Sequence, residues 1–510
     1  MYFRNKLISL CLVVGAGGCI VAYPLDKYDA CADKKCVPKS WAKRYGDGAP
    51  MRALALAETS AGHTLIAGSF SQTMTLGKTV LHESVDPNEA GFVALLNESG
   101  NPIWAADFSD IGAHGSAVQS VVVGYSDTIF AAGFIRDQSA ETKTGAIVRY
   151  DVSYTDGVPT VSRVNDVLLR DPQGSVDMDT EITAIAMDPE QTDIIYAVGR
   201  INKFGALPCL VATEANPGMF LAKFTADLKC QWAKRLAADD ATPTAITAHN
   251  ASKNGIWLTG YFSGLLEGDG MAAFTAVGMS DMFLFNLDPA DGAIRPQNTK
   301  HQHSSLESTG WIKPTAIETA DDEDMGHDVI VVGSVYGPTS LNPDAAQTRE
   351  VGFVSKFGDT GDFNAAKLFS AAGGSTEPVT MTGISRVAVT GGSDRFYLAG
   401  TFSGGLKTAA LDPSPSTIGT RPFFIVMPEG FTNTMSPVKL HDFNGYEESS
   451  MAAHRWLVHP GKTGVTVLGE WRDDLDLSIP GKFDKGSLLR TDRSRDGFDV
   501  VVGHFDYTAL

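Results

Sequence analysis

A short apolar strand carrying one glycine near its end occurs seven times along the chain. LIAGSF, FAAGFI, YAVGRI, WLTGYF, VVVGSV, YLAGTF and VLGEWR place that glycine at Gly68, Gly133, Gly199, Gly260, Gly333, Gly400 and Gly469. Successive copies stand roughly 65 residues apart, and self-similarity at a fixed period is the signature of one supersecondary unit used repeatedly. No other feature narrows the possible folds as far.

Each copy has the same internal order. A small-residue strand precedes the glycine strand, as in RALALAE at Arg52, ITAIAMD at Ile182, PTAITAH at Pro243 and KPTAIET at Lys313. A variable polar loop follows, then an aromatic-rich strand: GFVALLN at Gly91, GMFLAKF at Gly218, DMFLFNL at Asp281, GFVSKFG at Gly352 and PFFIVMP at Pro422. A turn such as NESGNP or DPADGA leads to a fourth strand, clearest in IWAADF and QWAKRL. Four strands per copy and seven copies describe an all-β chain, a seven-bladed β-propeller of four-stranded antiparallel blades. Ala and Thr suit a first strand crowded at the axis, and aromatic residues suit a third strand where blades widen. A row of small sandwich domains is the competing architecture, but units of this size are poor at building independent cores.

The seventh copy runs through AAHRWLVH, VTVLGEW and GFDVVVGHFD, and the sequence reaches Leu510 with three of its four strands made. The missing strand type stands at the other end, as WAKRYG from Trp41 to Gly46. This segment is expected to supply the outer strand of the last blade and so remove the open edge of a linear array of sheets. The domain plan is an export signal at 1–18, a tether at 19–40, and a propeller at 41–510. Its blades lie at about 51–112, 115–172, 181–239, 242–305, 311–374, 380–445 and 450–510, the last completed by 41–47.

The succession AGSF, GFVALL, SGNPIWAADF resembles the bacterial β-propeller repeat of exported and cell-surface proteins, including the family named for its seven-bladed propeller. The likeness covers about residues 41–510 and implies fold and export, with no particular reaction. That family usually carries Asp just before the third-strand aromatic. Here Asp281 near Phe283 is the match, so the chain is similar to a divergent member. Blade two departs most, with no fourth-strand Trp and a longer hairpin around Asp156 and Gly157.

The first residues agree with export. Arg4 and Lys6 precede an apolar run from Leu7 to Val14 and then GAGGC, the basic, apolar and small-residue order of a secretory signal. AGGC resembles a lipobox, which would make Cys19 the lipidated mature N-terminus, although that motif prefers Leu where this chain has Ala16. Ordinary cleaved secretion and a retained anchor are the alternatives, and all three export the chain. Cys31, Cys36, Cys209 and Cys230 then form an even set in an oxidising compartment. Four cysteines allow three connectivities, of which Cys31 with Cys36 and Cys209 with Cys230 is the simplest. Neither pair has the CxxC spacing of a zinc site.

Chemistry is scarce. In HQH, His301 and His303 would project to one side of an extended segment, but the motif reads as a polar loop after blade four. His114 and His327 also fall between strands. The acidic clusters Asp321 to Asp324, Asp177 with Asp179 and Glu181, and Asp473 with Asp474 and Asp476 lack the EF-hand ligand pattern. SGG at Ser403 and AGG at Ala372 read as hairpin glycines. No metal or cofactor is implied. A formal charge of -19 disfavours phosphate backbones, so nucleic acid is not an expected partner.

The expected function is therefore binding or scaffolding at a bacterial cell envelope, as a monomer or a subunit of an envelope assembly. The ligand would be a surface protein or polysaccharide, and the membrane would be met only through the lipid. Contacts are expected from loops between second and third strands, at Ser71 to Ala90, Asn202 to Pro217 and Gly404 to Arg421, because a repeated scaffold varies most there. The alternative is an envelope hydrolase or lyase acting on polysaccharide or peptide, with acidic and His groups meeting at the channel mouth.

Overall fold

The structure, a computed structural model, describes residues 40–46, 50–82, 89–108, 115–136, 142–170, 179–188, 191, 194–202, 209, 218–248, 255–268, 271–303, 309–322, 326–341, 349–371, 378–387, 395–404, 406–407, 417–428, 439–442, 444–445, 455–461, 464–471, 475–476, 488–489 and 499–506. The chain is all-β and forms a seven-bladed propeller of mostly four-stranded antiparallel blades. Blade one is typical: Met51–Glu58, Thr64–Phe70, Ala90–Leu96 and Pro102–Asp107 pair in that order from axis to rim. Between blades three and four one long strand, Cys230–Thr247, serves twice. Its first half is the outer strand beside Gly218–Thr225, and its second half is the inner strand beside Ile256–Glu267.

The recurring glycine answers a steric demand. A Cβ on Gly68, Gly133 or Gly199 would lie 1.9 Å from the carbonyl oxygen of Arg52, Ala117 or Glu181 in the first strand of the same blade. Opposite the glycine on its other side stands the third-strand aromatic: Phe92 on Gly68, Phe220 on Gly199, Phe283 on Gly260, Phe353 on Gly333 and Phe423 on Gly400. The ring fills the space a side chain would have taken. In blade seven Trp456 covers Gly469 instead.

The first strands of blades one to six each carry a bulge directly after the residue that faces the glycine, and that of blade four has a second register shift between Ala238 and Asp240. The bulged residues are Leu54, Gln119, Thr183, Thr244, Thr315 and Thr382. A bulge adds twist and re-aims a side chain, and these six line the central channel. The pairing of Trp456–Pro460 with Gly464–Trp471 in blade seven runs without one.

Core side chains lie between blades, with a buried cluster for every neighbouring pair. The cluster between blades seven and one joins Trp41, Tyr45, Leu468, Val500 and Val502 to Phe70 and Phe92. It depends on the closing strand. Trp41–Tyr45 pairs antiparallel with Asp499–Asp506, Trp41 opposite His504 and Tyr45 opposite Val500. The Trp41 ring stacks on His504 and lies under Gly100, whose φ of +72° and lack of a side chain admit it. Trp232 lies in the same way under Gly292, φ +71°, in blade four. WAKRY is thus a fourth strand like QWAKRL, placed early in the chain. The Tyr45 hydroxyl donates to the Gly100 carbonyl and the Lys43 ammonium to Asn101, so this strand also grips blade one.

Blade two keeps its long hairpin, Lys143–Thr155 and Val158–Leu168, turned by Asp156 and Gly157 at φ 52° and 78°. Such left-handed pairs match the twist of a two-residue hairpin.

Candidate functional site

The axis holds a cavity of about 190 Å³, walled by the bulged residues and by small neighbours such as Ala55, Ala184, Ala245 and Ala316. Among the described residues no carboxylate is in that lining. Blade seven contributes Arg455 and His459. Burial pushes the His459 imidazole down to about 4, so it is neutral at physiological pH. Burial also lowers the Arg455 guanidinium, with Glu470 and Arg52 acting on it in opposite directions.

Several motifs singled out in the sequence have structural work. HQH is not a loop: Lys300–Gln302 is the outer strand of blade four. His301 Nε2 lies 2.8 Å from Oδ2 of the buried Asp281, and its ring centroid is within 5.3 Å of those of Phe262 and Phe274. That contact orients the His301 ring against the third strand of its own blade. Asp281 also accepts the Val277 N–H at 2.7 Å and ties down the loop before its own strand. Asp179 accepts from the Lys143 N–H and from Asn202, while Glu181 pairs with the Lys143 ammonium, so both carboxylates join blade two to blade three. Asp321 and His327 are paired across a strand ladder. Ser403 lies within a strand rather than at a hairpin tip, its Oγ 2.9 Å from Thr420 Oγ1. Cys209 and Cys230 form a disulfide. Cys19, Cys31, Cys36, His114, Asp177, Ala372, Asp473 and Asp474 lie outside the described residues. Among the described residues no cluster of three His, Cys, Asp or Glu side chains could hold a metal.

The most site-like feature is a cleft of about 210 Å³ between blades four and five, lined by Asp240, Tyr261, Ser263, Met279, Ser280, Trp311 and Lys313. It opens on the face that carries the connections between second and third strands. Asp240 sits where the long strand passes from blade three to blade four. Tyr261 follows the repeat glycine Gly260, and Ser263 shares its side of the strand by period-two alternation. Met279 and Ser280 precede the third strand, and Trp311 and Lys313 open blade five. Two backbone bonds fix the far wall: Met279 N–H to the Gly310 carbonyl at 2.8 Å, and Ile312 N–H to the Ser280 carbonyl at 3.0 Å.

Three groups give the cleft its character. Among the described residues the Ser280 hydroxyl is buried without a hydrogen-bond partner, as are those of Tyr196 and Thr319, a state that costs free energy. The Lys313 ammonium lies 5.1 Å over the Trp311 ring and 5.4 Å over the Tyr261 ring; no ion pair to it is found among the described residues. Asp240 is held only loosely, 3.5 Å from both Ser263 Oγ and Arg200. Nearby, burial raises the Glu350 carboxyl, opposed by a Ser334 hydrogen bond and by the charge of Lys313.

Of the connections expected to bind ligand, residues 83–88, 203–208, 210–217, 405 and 408–416 lie outside the described residues. The cleft uses the corresponding connection of blade four, which repeat comparison did not single out. The signal present was slight: WIKPTAIET opens with Trp311, while Lys313 has a counterpart in Arg52 of RALALAE. Compared with protein-family models and with curated proteins, the chain matches none.

Proposed function

We propose that the protein is a binding or scaffold propeller of a bacterial envelope, exported and tethered by lipid on Cys19, with its ligand seat in the cleft between blades four and five. The observation that carries the seat is the cleft itself, about 210 Å³ between two blades and rimmed by Trp311, Tyr261 and Lys313. The ring is a rigid support for such a seat. Basic, apolar and small residues in order, ending in AGGC, support the tether, and residues 20–40 would hold the ring away from the bilayer.

Affinity capture from envelope extract tests the seat, with wild type and Trp311→Ala run side by side after both are shown to melt alike. Retention of a component by wild type and its loss with the variant is expected; equal retention by both rejects the cleft as the seat. Labelling cells with a fatty-acid analogue tests the tether. Wild type should take up label and Cys19→Ala should not, and an unlabelled wild type removes the lipid from the proposal.

A further inference from the structure

The hairpin of blade two outruns its blade. Lys143–Thr155 pairs with Ile129–Arg136 only as far as Tyr150 opposite Ile129. Among the described residues the tip beyond that point pairs only with its own returning strand, from Asp151 opposite Ser162 to Thr155 opposite Val158. A two-stranded ribbon is marginal alone in water, so this tip must lie on something. It lies on blade one, at the end of the ring opposite the connections between second and third strands. Val152 enters the apolar cluster between blades one and two, and Tyr154 reaches the turn between the first two strands of blade one.

Asp127 is the polar lock. Its carboxylate is 3% exposed and accepts from three donors: the Tyr154 hydroxyl at 2.8 Å, the Ser60 hydroxyl at 2.9 Å and the Ser60 N–H at 2.5 Å. Ser126 and Asp127 both take a φ of 59°, a left-handed conformation that costs free energy and persists where the surroundings impose it. His63 completes the cluster. Its ring stacks on Tyr154, with centroids 5.8 Å and planes 11° apart, and its Nδ1 is buried with no hydrogen-bond partner among the described residues. A neutral imidazole can leave that nitrogen a bare lone pair, but an imidazolium carries a proton on both nitrogens. The Nδ1–H would then be a buried donor without an acceptor, which is costly. The charged and titratable groups facing the ring are Glu98 from the outer turn of blade one, Asp127 and Tyr154. Burial holds the imidazole below its ordinary value, and the two carboxylates oppose that shift without reversing it.

We propose that the tip of the blade-two hairpin is an acid-released strap, closed on blade one while His63 is neutral and lifted when His63 takes up a proton. Lifting returns the imidazole to water, where it binds a proton at its ordinary 6.5, so the open form gains weight as pH falls through that value. At pH 5, about 1.5 units lower, the open population can rise by up to about thirtyfold. Opening uncovers Asp127 and His63 and frees residues 151–155, on the side of the ring away from the cleft between blades four and five, so the strap does not depend on the reading of that cleft.

Hydrogen–deuterium exchange of the full chain at pH 7.5 and pH 5.0, corrected for intrinsic rates, tests the strap. In wild type the protection of amides in 151–162 should fall at least fivefold at the lower pH, with Gly326–Tyr336 in blade five unmoved as the internal reference. His63→Phe keeps a ring against Tyr154 but cannot take a proton, and its protection at the two pH values should agree within twofold. Tyr154→Phe keeps the stack but loses the bond to Asp127, and should lower protection of the tip at least fivefold at both pH values. Equal protection of wild type at the two pH values, an acid step that survives His63→Phe, an unchanged tip in Tyr154→Phe, or a loss that spreads equally to Gly326–Tyr336 overturns the proposal.

Discussion

Gly199 shows why a single atom decides the architecture. A methyl there would lie 1.9 Å from the Glu181 carbonyl and 2.6 Å from the Phe220 ring, so the backbone of two strands would have to part. Overpacking of this kind costs typically 1–3 kcal/mol and occasionally more. Gly199→Ala should lower stability by at least about 2 kcal/mol, read as a shift of the urea midpoint at constant slope. Gly358, where a Cβ would meet only the Asn364 side chain at 3.4 Å or beyond, is the control, and Ala there should be near neutral. His459 provides a second test at the same scale. Its folded value of about 4 lies below the ordinary 6.5, so the unfolded chain binds this proton more readily. Stability attached to His459 is complete above pH 6.5 and is lost as pH falls toward 4, up to about 3 kcal/mol for a shift of this size. The acid limb of the stability profile should flatten in His459→Gln; an unchanged limb would assign the acid sensitivity elsewhere.

Each strand of a blade carries its own residue signature because each meets a different neighbour, and that is why the fold could be read before any coordinates. Ala and Thr mark the crowded inner strand, glycine the second, an aromatic the third to cover that glycine, and Trp the fourth to lie under the next blade's turn. The bulges are marked only in part, since Leu54 and Gln119 stand where blades three to six have Thr. The cleft was hidden for a related reason: Asp240, Ser280 and Lys313 come from three blade elements, and linear spacing does not encode which strand ends meet. HQH was misread because the carboxylate that holds His301 belongs to the adjacent strand, in Asp281. The Cys209–Cys230 bridge makes its own prediction. It closes a loop with a sequence separation of 21, and constraining a loop of that length contributes about 3 kcal/mol in the chain-entropy model. Cys209→Ser with Cys230→Ser should lower stability by about that amount, read as a shift of the urea midpoint.

For the whole ring the question is whether blades are independent weights on a string or one cooperative body. The packing favours one body, because the hydrophobic clusters lie between blades rather than inside them, and no blade can leave without exposing two interfaces. Closure completes that logic. Without Trp41–Tyr45, the strand Asp499–Asp506 becomes a bare edge, and the cluster joining blades seven and one loses Trp41 and Tyr45 together. Removal of a single buried Trp side chain costs about 3–5 kcal/mol, and loss of the strand adds its ladder bonds and its grip on Gly100 and Asn101. Two N-terminal truncations separate the possibilities: deletion through Lys39 keeps the closing strand, and deletion through Gly46 removes it. The first should melt like the untruncated ring. The second should melt at a much lower temperature, still in one calorimetric transition, because an opened ring has lost the interface that ties its last blade to its first. A new low-temperature transition with the main one unmoved would mean that blade seven frays alone, and similar melting of the two truncations would mean that the ring does not depend on being closed.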